Sequence, residues 1–570
     1  MEVIVMAKRK IPYGVSDYQK IKTENYVYVD KTKYIEILEN LNTSYPIFLR
    51  PRRFGKSLFV STLQYYYDIN SQDRFHELFG DTYIGSHKTA ASNSYYVMRF
   101  DFSGLSIENE DQLIATFRKS VEDTIIQFEN MYQFGVEYDK DELHPARLIG
   151  TYLTKIYPFT QKRVYIMVDE YDHFANGLLH DKKAFEGITG KDGFVRQFYE
   201  IFKYHAGHGC IDRIFITGVT SLTLDSLTSG FNIAKNISMI PYFNDMAGFT
   251  KEETLNLLKE AEIPDELEII QLLENNYNGY LFHQESANEN KRVFNSNMIL
   301  YFLDEYQIRN RIPDKLVDYN IKSDYYKLTN MFNLLESKEE RQKILDEIIS
   351  DKGISTDIIT NFNFSVPFKE EDFLSLLFYL GLLTIKGKGH TFDVILQTPN
   401  AVIRDVYYQY YSNYLNLSTR EKRSAISNLA LKNDFTELNK LIDEILVMHS
   451  NDDYRGFNEA RLKSIFISCF SDQNLFLVKS EYPVEGKKID IALFDQYGKS
   501  DGIKNNYLIE IKYIKKSQSG KGAIASVRKE AEEQMRAYLN LREFKNNMRV
   551  KGLIYVVVKD KIIHFEEIDR

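Results

Sequence analysis

Tyr507-Leu508-Ile509-Glu510-Ile511-Lys512-Tyr513 sets one acid and one base two residues apart inside an otherwise apolar run. Its β-branched and aromatic content predicts a strand, and strand alternation then puts Glu510 and Lys512 on the same face. A solvent-facing strand does not surround two charges with isoleucines. The run Lys488-Ile489-Asp490-Ile491-Ala492-Leu493-Phe494 reads as a preceding strand, with Asp490 on the face of Ala492 and Phe494. Upstream, Leu462, Ile465, Phe466, Cys469 and Phe470 follow i, i+3, i+4, i+7, i+8, the buried stripe of a helix over 456–470. Glu459 precedes Leu462 by three and is expected to join that inward face, where a carboxylate needs a partner.

Chemistry supplies a reason for this set. Hydrolysing a phosphodiester at neutral pH calls for a hard divalent cation held by carboxylates, with positions left for water and a phosphate oxygen. Asp490 and Glu510 are the expected ligands of Mg²⁺ or Mn²⁺, with Glu459 adding or orienting a ligand. Lys512 is placed to position or deprotonate the attacking water, or to neutralise charge on the pentavalent phosphorus. Gln534 and Tyr538, spaced i, i+4 on a helix behind the strands, suit the orientation of that base or of the substrate. Between Lys504 and Lys529 seven cations face the single anion Glu510, a local balance suited to a phosphate backbone.

In this order the elements resemble the PD-(D/E)XK nuclease superfamily: a helical Glu459, a strand Asp490, Glu510-Ile511-Lys512, then a helix bearing Gln534 and Tyr538. The proline of the motif name is replaced by Ile489, and Lys488 stands where arginine is common. The resemblance implies a restriction-endonuclease-like α/β domain over 451–570 that cleaves nucleic acid, with DNA favoured over RNA.

Near the other end, the apolar run Tyr45–Leu49 leads into Arg50-Pro51-Arg52-Arg53-Phe54-Gly55-Lys56-Ser57, followed by a helix with apolar Leu58, Val60 and Leu63. Gly-Lys-Ser between a strand and a helix is the end of a phosphate-binding loop, where backbone N–H groups and the helix N-terminus cradle phosphates. Lys56 would reach the β- and γ-phosphates and the Ser57 hydroxyl would ligate Mg²⁺. Arg50 stands where the first glycine of such a loop belongs. The buried run Val164–Asp169 ends in Asp169-Glu170, suited to hold the metal through water and to activate a hydrolytic water respectively. Thr217, in a further strand over 213–218, is a candidate γ-phosphate sensor. Arg52 and Arg53 would neutralise the triphosphate, ion-pair with an acid, or act on a neighbouring subunit's nucleotide.

These residues resemble the AAA-ATPase-like proteins whose loop reads R-P-R-R-F-G-K-[ST] and whose acidic strand end reads D-E-Y-D, here Arg50–Ser57 and Asp169-Glu170-Tyr171-Asp172. Tyr13-Gly14, Asp30-Lys31-Thr32, Gly248-Phe249-Thr250, Tyr277-Asn278-Gly279-Tyr280 and the stretch 378–384 agree, although Asn278 replaces the usual acid. This group commonly ends in a PD-(D/E)XK domain, so the resemblance spans nearly the whole chain. It implies ATP as cofactor and an ATPase fused to a nuclease.

Length and pattern fit that division. A chain of 570 residues exceeds one core. Strand-like runs at 45–49, 96–102, 164–169 and 213–218 alternate with helices and predict an α/β ATPase domain over 1–240. A mainly helical connector follows over 241–450, interrupted by the β-like 381–385, and the nuclease domain closes the chain. A helix, two strands, a basic loop, a helix and two more strands are expected in that last part. The net charge of −9 excludes a global pull toward nucleic acid, so any such surface is a local patch. The only cysteines, Cys210 and Cys469, give no disulfide or zinc framework. Residues 3–6 are too short an apolar run for a signal peptide, no run approaches a membrane span, and a cytoplasmic setting is expected. The functional expectation is an ATP-gated, Mg²⁺-dependent nuclease, with defence against foreign DNA as one role. The alternative is a nucleotide-dependent switch or scaffold whose nuclease-like domain binds without cleaving. Self-association into a homo-oligomer stays open.

Overall fold

The computed structural model describes residues 9–569 apart from 107–108, 175–184, 186, 189, 191–192, 223–230, 265, 289, 314–315, 317–327, 336, 350–352, 361, 363–367, 390–392, 416, 450–456, 471–474, 496–501, 546 and 548. The run at 3–6 and residue 456 of the 456–470 stretch thus lie outside the described residues. The chain forms two compact units, Met1–Leu316 with Ser355–Pro399 and Val317–Ile354 with Asn400–Arg570.

In the first unit, β1 (Pro46–Leu49), β2 (Tyr96–Asp101), β3 (Val164–Asp169), β4 (Ile211–Gly218) and β5 (Lys235–Asn236) form a parallel sheet ordered β2-β3-β4-β1-β5. Every residue of β1 and β3 is buried, so these strands read as continuous apolar runs instead of alternating ones. The strand β5 has only two residues and offers no pattern to read. Leu49 pairs with Gly218 and Asp101 with Asp169, which gathers the carboxyl ends of the strands at one edge, where open α/β sheets bind ligands. Aromatic side chains pack this unit: Phe102 stacks on Phe117 at 4.6 Å, and Phe198 meets Phe117 edge-on at 5.0 Å.

The stretches around residues 248, 277–280 and 378–384 have a common task, which is to brace the loop after β1. Gly248 N–H donates to the Phe54 carbonyl, and the Phe54 ring packs edge-on against Tyr280 and Phe282. Gly381 has φ +76°, and a Cβ there would lie 2.8 Å from Pro51. Gly279 has φ +113°, and its Cβ would lie 2.0 Å from the Pro399 carbonyl oxygen. The β-like interruption is the start of a small sheet, β6 (Ile354–Thr356), β7 (Thr384–Lys388) and β8 (Val394–Gln397), ordered β6-β8-β7. Residues 381–383 themselves are a turn, because Gly381 reverses the chain after the helix Glu370–Tyr379.

The second unit contains the helices Ala401–Tyr414, Thr419–Lys432, Thr436–His449 and Glu459–Phe470, then a five-stranded sheet. Its strands are β9 (Phe476–Val484), β10 (Lys487–Asp495), β11 (Asn506–Ile514), β12 (Val550–Val558) and β13 (Lys561–Ile568), ordered β13-β12-β11-β10-β9. Only β11 and β12 are parallel, joined by the helix Lys521–Leu539, which packs on both. Three strands therefore precede that helix, where the sequence pattern predicts two. The additional strand, β9, lies at the sheet edge, where Pro483 is tolerated and where Lys479, Ser480 and Glu481 break any apolar alternation. No helix among the described residues is long and apolar enough to cross a membrane.

Candidate active sites

In the first unit the helix Lys56–Tyr67 starts seven residues after β1, preceded by two left-handed residues, Arg53 (φ 66°) and Gly55 (φ 93°). Glycine takes that conformation freely, whereas arginine there is strained. The Lys56 side chain is buried; its ammonium donates to the Pro51 carbonyl at 3.2 Å and stands 3.6 Å from Glu170. Glu170 is itself left-handed (φ 53°), a second strained residue facing the first loop. Asp169 Oδ1 accepts from the Thr217 hydroxyl at 2.6 Å, and Arg99 on β2 approaches Oδ2 at 3.4 Å. Lys56, Asp169, Glu170 and Thr217 thus come together at the carboxyl ends of β1, β3 and β4. Ser57, Arg52, Arg53 and Phe54 lie on the same loop and helix start, with Phe54 buried in the brace and the other three half-buried.

Two arginines complete this region. Arg50, where a glycine was missing, is buried and donates to the carbonyls of Leu49, Ser238 and Phe243 at 2.7–2.8 Å between the Phe48 and Phe282 rings. It anchors the loop by its side chain instead of supplying a bare backbone. Arg99 escaped the sequence reading, since nothing in Tyr96–Asp101 marks which arginine of a strand reaches its neighbour's acid. Asp172 is fully buried and accepts from Val219 N, Thr220 N and the Thr220 hydroxyl at 2.6–3.0 Å, so the last acid of the D-E-Y-D run ties the turn after β4.

The second site is built on the middle of the C-terminal sheet. Ile491 pairs with Ser480 on one side and with Ile509 on the other, so one rung further Glu481, Asp490 and Glu510 lie level on three adjacent strands. Like charges directly opposite one another destabilise a sheet unless cations intervene. Two lysines do so. Lys463, from the helix Glu459–Phe470, places its ammonium 2.5 Å from Asp490 Oδ1, 2.8 Å from Glu481 and 3.6 Å from Glu459. Lys512 stands 2.9 Å from Glu510 Oε1.

The remaining carboxylate oxygens differ. Asp490 Oδ2 accepts from Ile511 N–H at 2.8 Å, whereas Glu510 Oε2 is buried with no hydrogen-bond partner. Burial, reinforced by the Asp490 charge, pushes the Glu510 carboxyl up to about 7 despite Lys512. Burial works against the Lys512 charge too, but the Glu510 hydrogen bond and charge outweigh it and hold the ammonium above its ordinary value. Behind it runs a relay: Lys512 donates to Gln534 at 3.1 Å, Gln534 to the Tyr538 hydroxyl at 2.5 Å, and Tyr538 to the Lys488 carbonyl at 2.7 Å. Burial, then the Glu510 charge, raises the Tyr538 hydroxyl to about 12, so it stays a donor at neutral pH.

One expectation is corrected. Glu459 does not join the inward face: it is the first residue of its helix, its side chain is 46% exposed, and its ion pair with the cluster is to Lys463 at 3.6 Å. Helical side chains lean back over the preceding turn, and the first residue of a helix has none to pack on. Lys463 and Glu481 were not anticipated. Lys463 had a legible signal, an i, i+4 partner of Glu459 beside the apolar stripe; Glu481 had none. Among the described residues no group of three or more His, Cys, Asp or Glu has metal-holding geometry.

Comparison with known proteins gives three findings. Residues 12–228 match the AAA-ATPase-like family, described as a predicted AAA-ATPase. Residues 457–567 match the PD-(D/E)XK nuclease superfamily. A relative described as an "Uncharacterized protein in vnfD 5'region" of Azotobacter chroococcum mcd 1 is 26% identical over 538 residues, covering 90% of this chain and 91% of the relative.

Proposed function

We infer, from a chain that fuses an AAA-ATPase-like domain to a PD-(D/E)XK nuclease-superfamily domain, that it binds ATP at the first site and hydrolyses nucleic-acid phosphodiesters at the second. One observation carries the nuclease reading. Glu510 keeps a buried, unpartnered oxygen level with Asp490, beside a lysine fixed by its own relay. An orphaned anionic oxygen in a buried acidic rung fits a hard divalent cation. Bound by Asp490 and Glu510, Mg²⁺ or Mn²⁺ supplies Lewis-acid polarisation of the phosphate and acidifies water. Lys512, held by Gln534 and Tyr538, orients the attacking water and offsets charge on the phosphorus. The basic stretch from Lys515 to Lys529 flanks the site and contacts the phosphate backbone, DNA before RNA.

At the first site the Lys56 ammonium leaves Glu170 for the phosphates, and the freed Glu170 carboxylate holds the hydrolytic water. Asp169, oriented by Thr217 and Arg99, together with Ser57 would hold Mg²⁺, and Gly55 and the loop from Arg52 would lend backbone N–H groups to the phosphates. The three parts are an ATPase region to about 240, a helical connector to about 450 and the nuclease region beyond. A second reading, a switch whose nuclease-like domain binds without cleaving, is favoured by Lys463 seated among the acids.

The deciding experiment is a cleavage assay on single- and double-stranded DNA and RNA with Mg²⁺ or Mn²⁺, with and without ATP. Wild type cuts at least one substrate, Asp490→Asn and Lys512→Ala cut none, and Lys56→Ala loses only the ATP response. Uncut substrate throughout sinks the nuclease reading and leaves the switch.

A further inference from the structure

Lys463 is a buried lysine with three carboxylates and no place in the mechanism above. Its ammonium sits on Asp490 Oδ1 at 2.5 Å, the side of Asp490 left open once Oδ2 has taken the Ile511 N–H. On the far side of Lys463 stands Glu481 at 2.8 Å, a strand residue held at φ 49°. A non-glycine residue in the left-handed region within a strand is strained, and such strain persists where the side chain's position is what matters. That position puts a carboxylate against Lys463, opposite Asp490. The neighbouring Glu510 Oε2 is buried and unpartnered, so the acidic rung holds a cation at Asp490 and at Glu510 Oε1 and none at Glu510 Oε2.

We propose that Lys463 is a resident cation that competes with the divalent metal for Asp490, and that Glu481 is the acceptor onto which it withdraws when metal binds. The inference rests on Asp490 and Glu510 being the metal ligands, and it adds to that reading an internal competitor and its parking site. With Lys463 on Asp490 and Lys512 on Glu510 the repulsion among the acids is partly offset, and the fold holds without metal. With Asp490 and Glu510 engaged by a metal, Lys463 would give up Asp490 Oδ1 and keep Glu481 and the half-exposed Glu459. The exchange moves one ammonium over a short distance and breaks no covalent bond. It makes occupancy of the site a function of free metal concentration, since the site never stands empty of positive charge.

The full-length protein is titrated with Mn²⁺ by calorimetry and by paramagnetic resonance of free Mn²⁺. Asp490→Asn serves as the site control and thermal melting as the check on folding. Lys463→Met is expected to tighten Mn²⁺ binding about tenfold or more, and Glu481→Gln to weaken it several-fold. In the Lys463→Met background Glu481→Gln has no further effect, because its action runs through Lys463. Unchanged or weaker binding in Lys463→Met overturns the proposal, as does a Glu481→Gln effect that persists without Lys463, which would make Glu481 a ligand. If Lys463→Met does not fold, Glu481→Gln alone decides, and unchanged or tighter binding rejects the withdrawal. Wild type that binds no Mn²⁺, or binds it as Asp490→Asn does, refutes the metal reading itself and this inference with it.

Discussion

Glu510→Gln replaces a buried carboxyl with a neutral side chain of the same shape, and the consequence for stability has a definite sign. The wild-type carboxyl is raised from its ordinary value of 4.5 to about 7. Below about pH 4.5 both folded and unfolded states hold the proton, and the site costs nothing. Between about 4.5 and 7 the unfolded state binds fewer protons than the folded one, so stability falls as pH rises. Above about 7 the loss is complete, and a shift of that size corresponds to about 3 kcal/mol at most. Glutamine has no such dependence. We therefore expect Glu510→Gln to gain on wild type by up to about 3 kcal/mol between about pH 4.5 and pH 8, in chelator, with most of the gain below about pH 7. Hydrogen exchange on peptides from β10 and β11 reads this locally in the full chain, and urea unfolding followed by circular dichroism or tyrosine emission reads it globally. The chain has no tryptophan and 41 tyrosines. Saturating Mn²⁺ should reverse the order, since only wild type gains from the metal. A wild-type minus mutant difference that is flat across this pH range would refute the reasoning.

Mn²⁺ binding needs the ionised Glu510, so its affinity should fall about tenfold per pH unit below about pH 7 and level off above, measured by calorimetry. Tyr538→Phe removes the donor to the Lys488 carbonyl and the acceptor for Gln534; we expect about 1 kcal/mol lower stability and slower cleavage with unchanged substrate binding. Asp172→Ala strands two N–H groups and a hydroxyl after β4 and should cost about 3 kcal/mol or more, seen as a lower melting temperature in the absence of nucleotide. Lys56→Met should abolish binding of a fluorescent ATP analogue while leaving Mn²⁺ affinity at the second site as in wild type.

How much of this was legible in the sequence depends on how local each signal is. The strands β1 and β3, and β4 from Ile214 to Ile216, announce themselves because strands buried on both faces are unbroken apolar runs. Glu510 and Lys512 are legible for a related reason: charges inside such a run need a function or a partner. The relay through Gln534 and Tyr538 follows from helical spacing once the helix is placed. Arg99 and Glu481 were not legible, because each matters through a neighbour on another strand, and which residues meet across strands is set by register. The edge strand β9 shows the limit most clearly. Its polar middle and Pro483 disguise it as a loop, yet it carries the acid that holds Lys463.

Register also explains why the two sites look so different in the sequence. Around Lys56 the parts are short contiguous motifs, because a loop and the helix after it present successive backbone groups to one phosphate chain. Around Asp490 the parts are single residues spread from Glu459 to Tyr538, because a rung of a sheet takes one residue from each strand. Such a site is specified by where strands pair, and a one-residue slip would turn every acid to the opposite face. The pairs Ile491 with Ile509 and Ile491 with Ser480 hold that register through buried side chains on the other face of the sheet. Three carboxylates on one rung oppose it, and Lys463 and Lys512 offset that repulsion. The lysines thus serve the fold before they serve any chemistry. A metal that replaces Lys463 at Asp490 inherits a rung already aligned, so binding would need no rearrangement of the sheet.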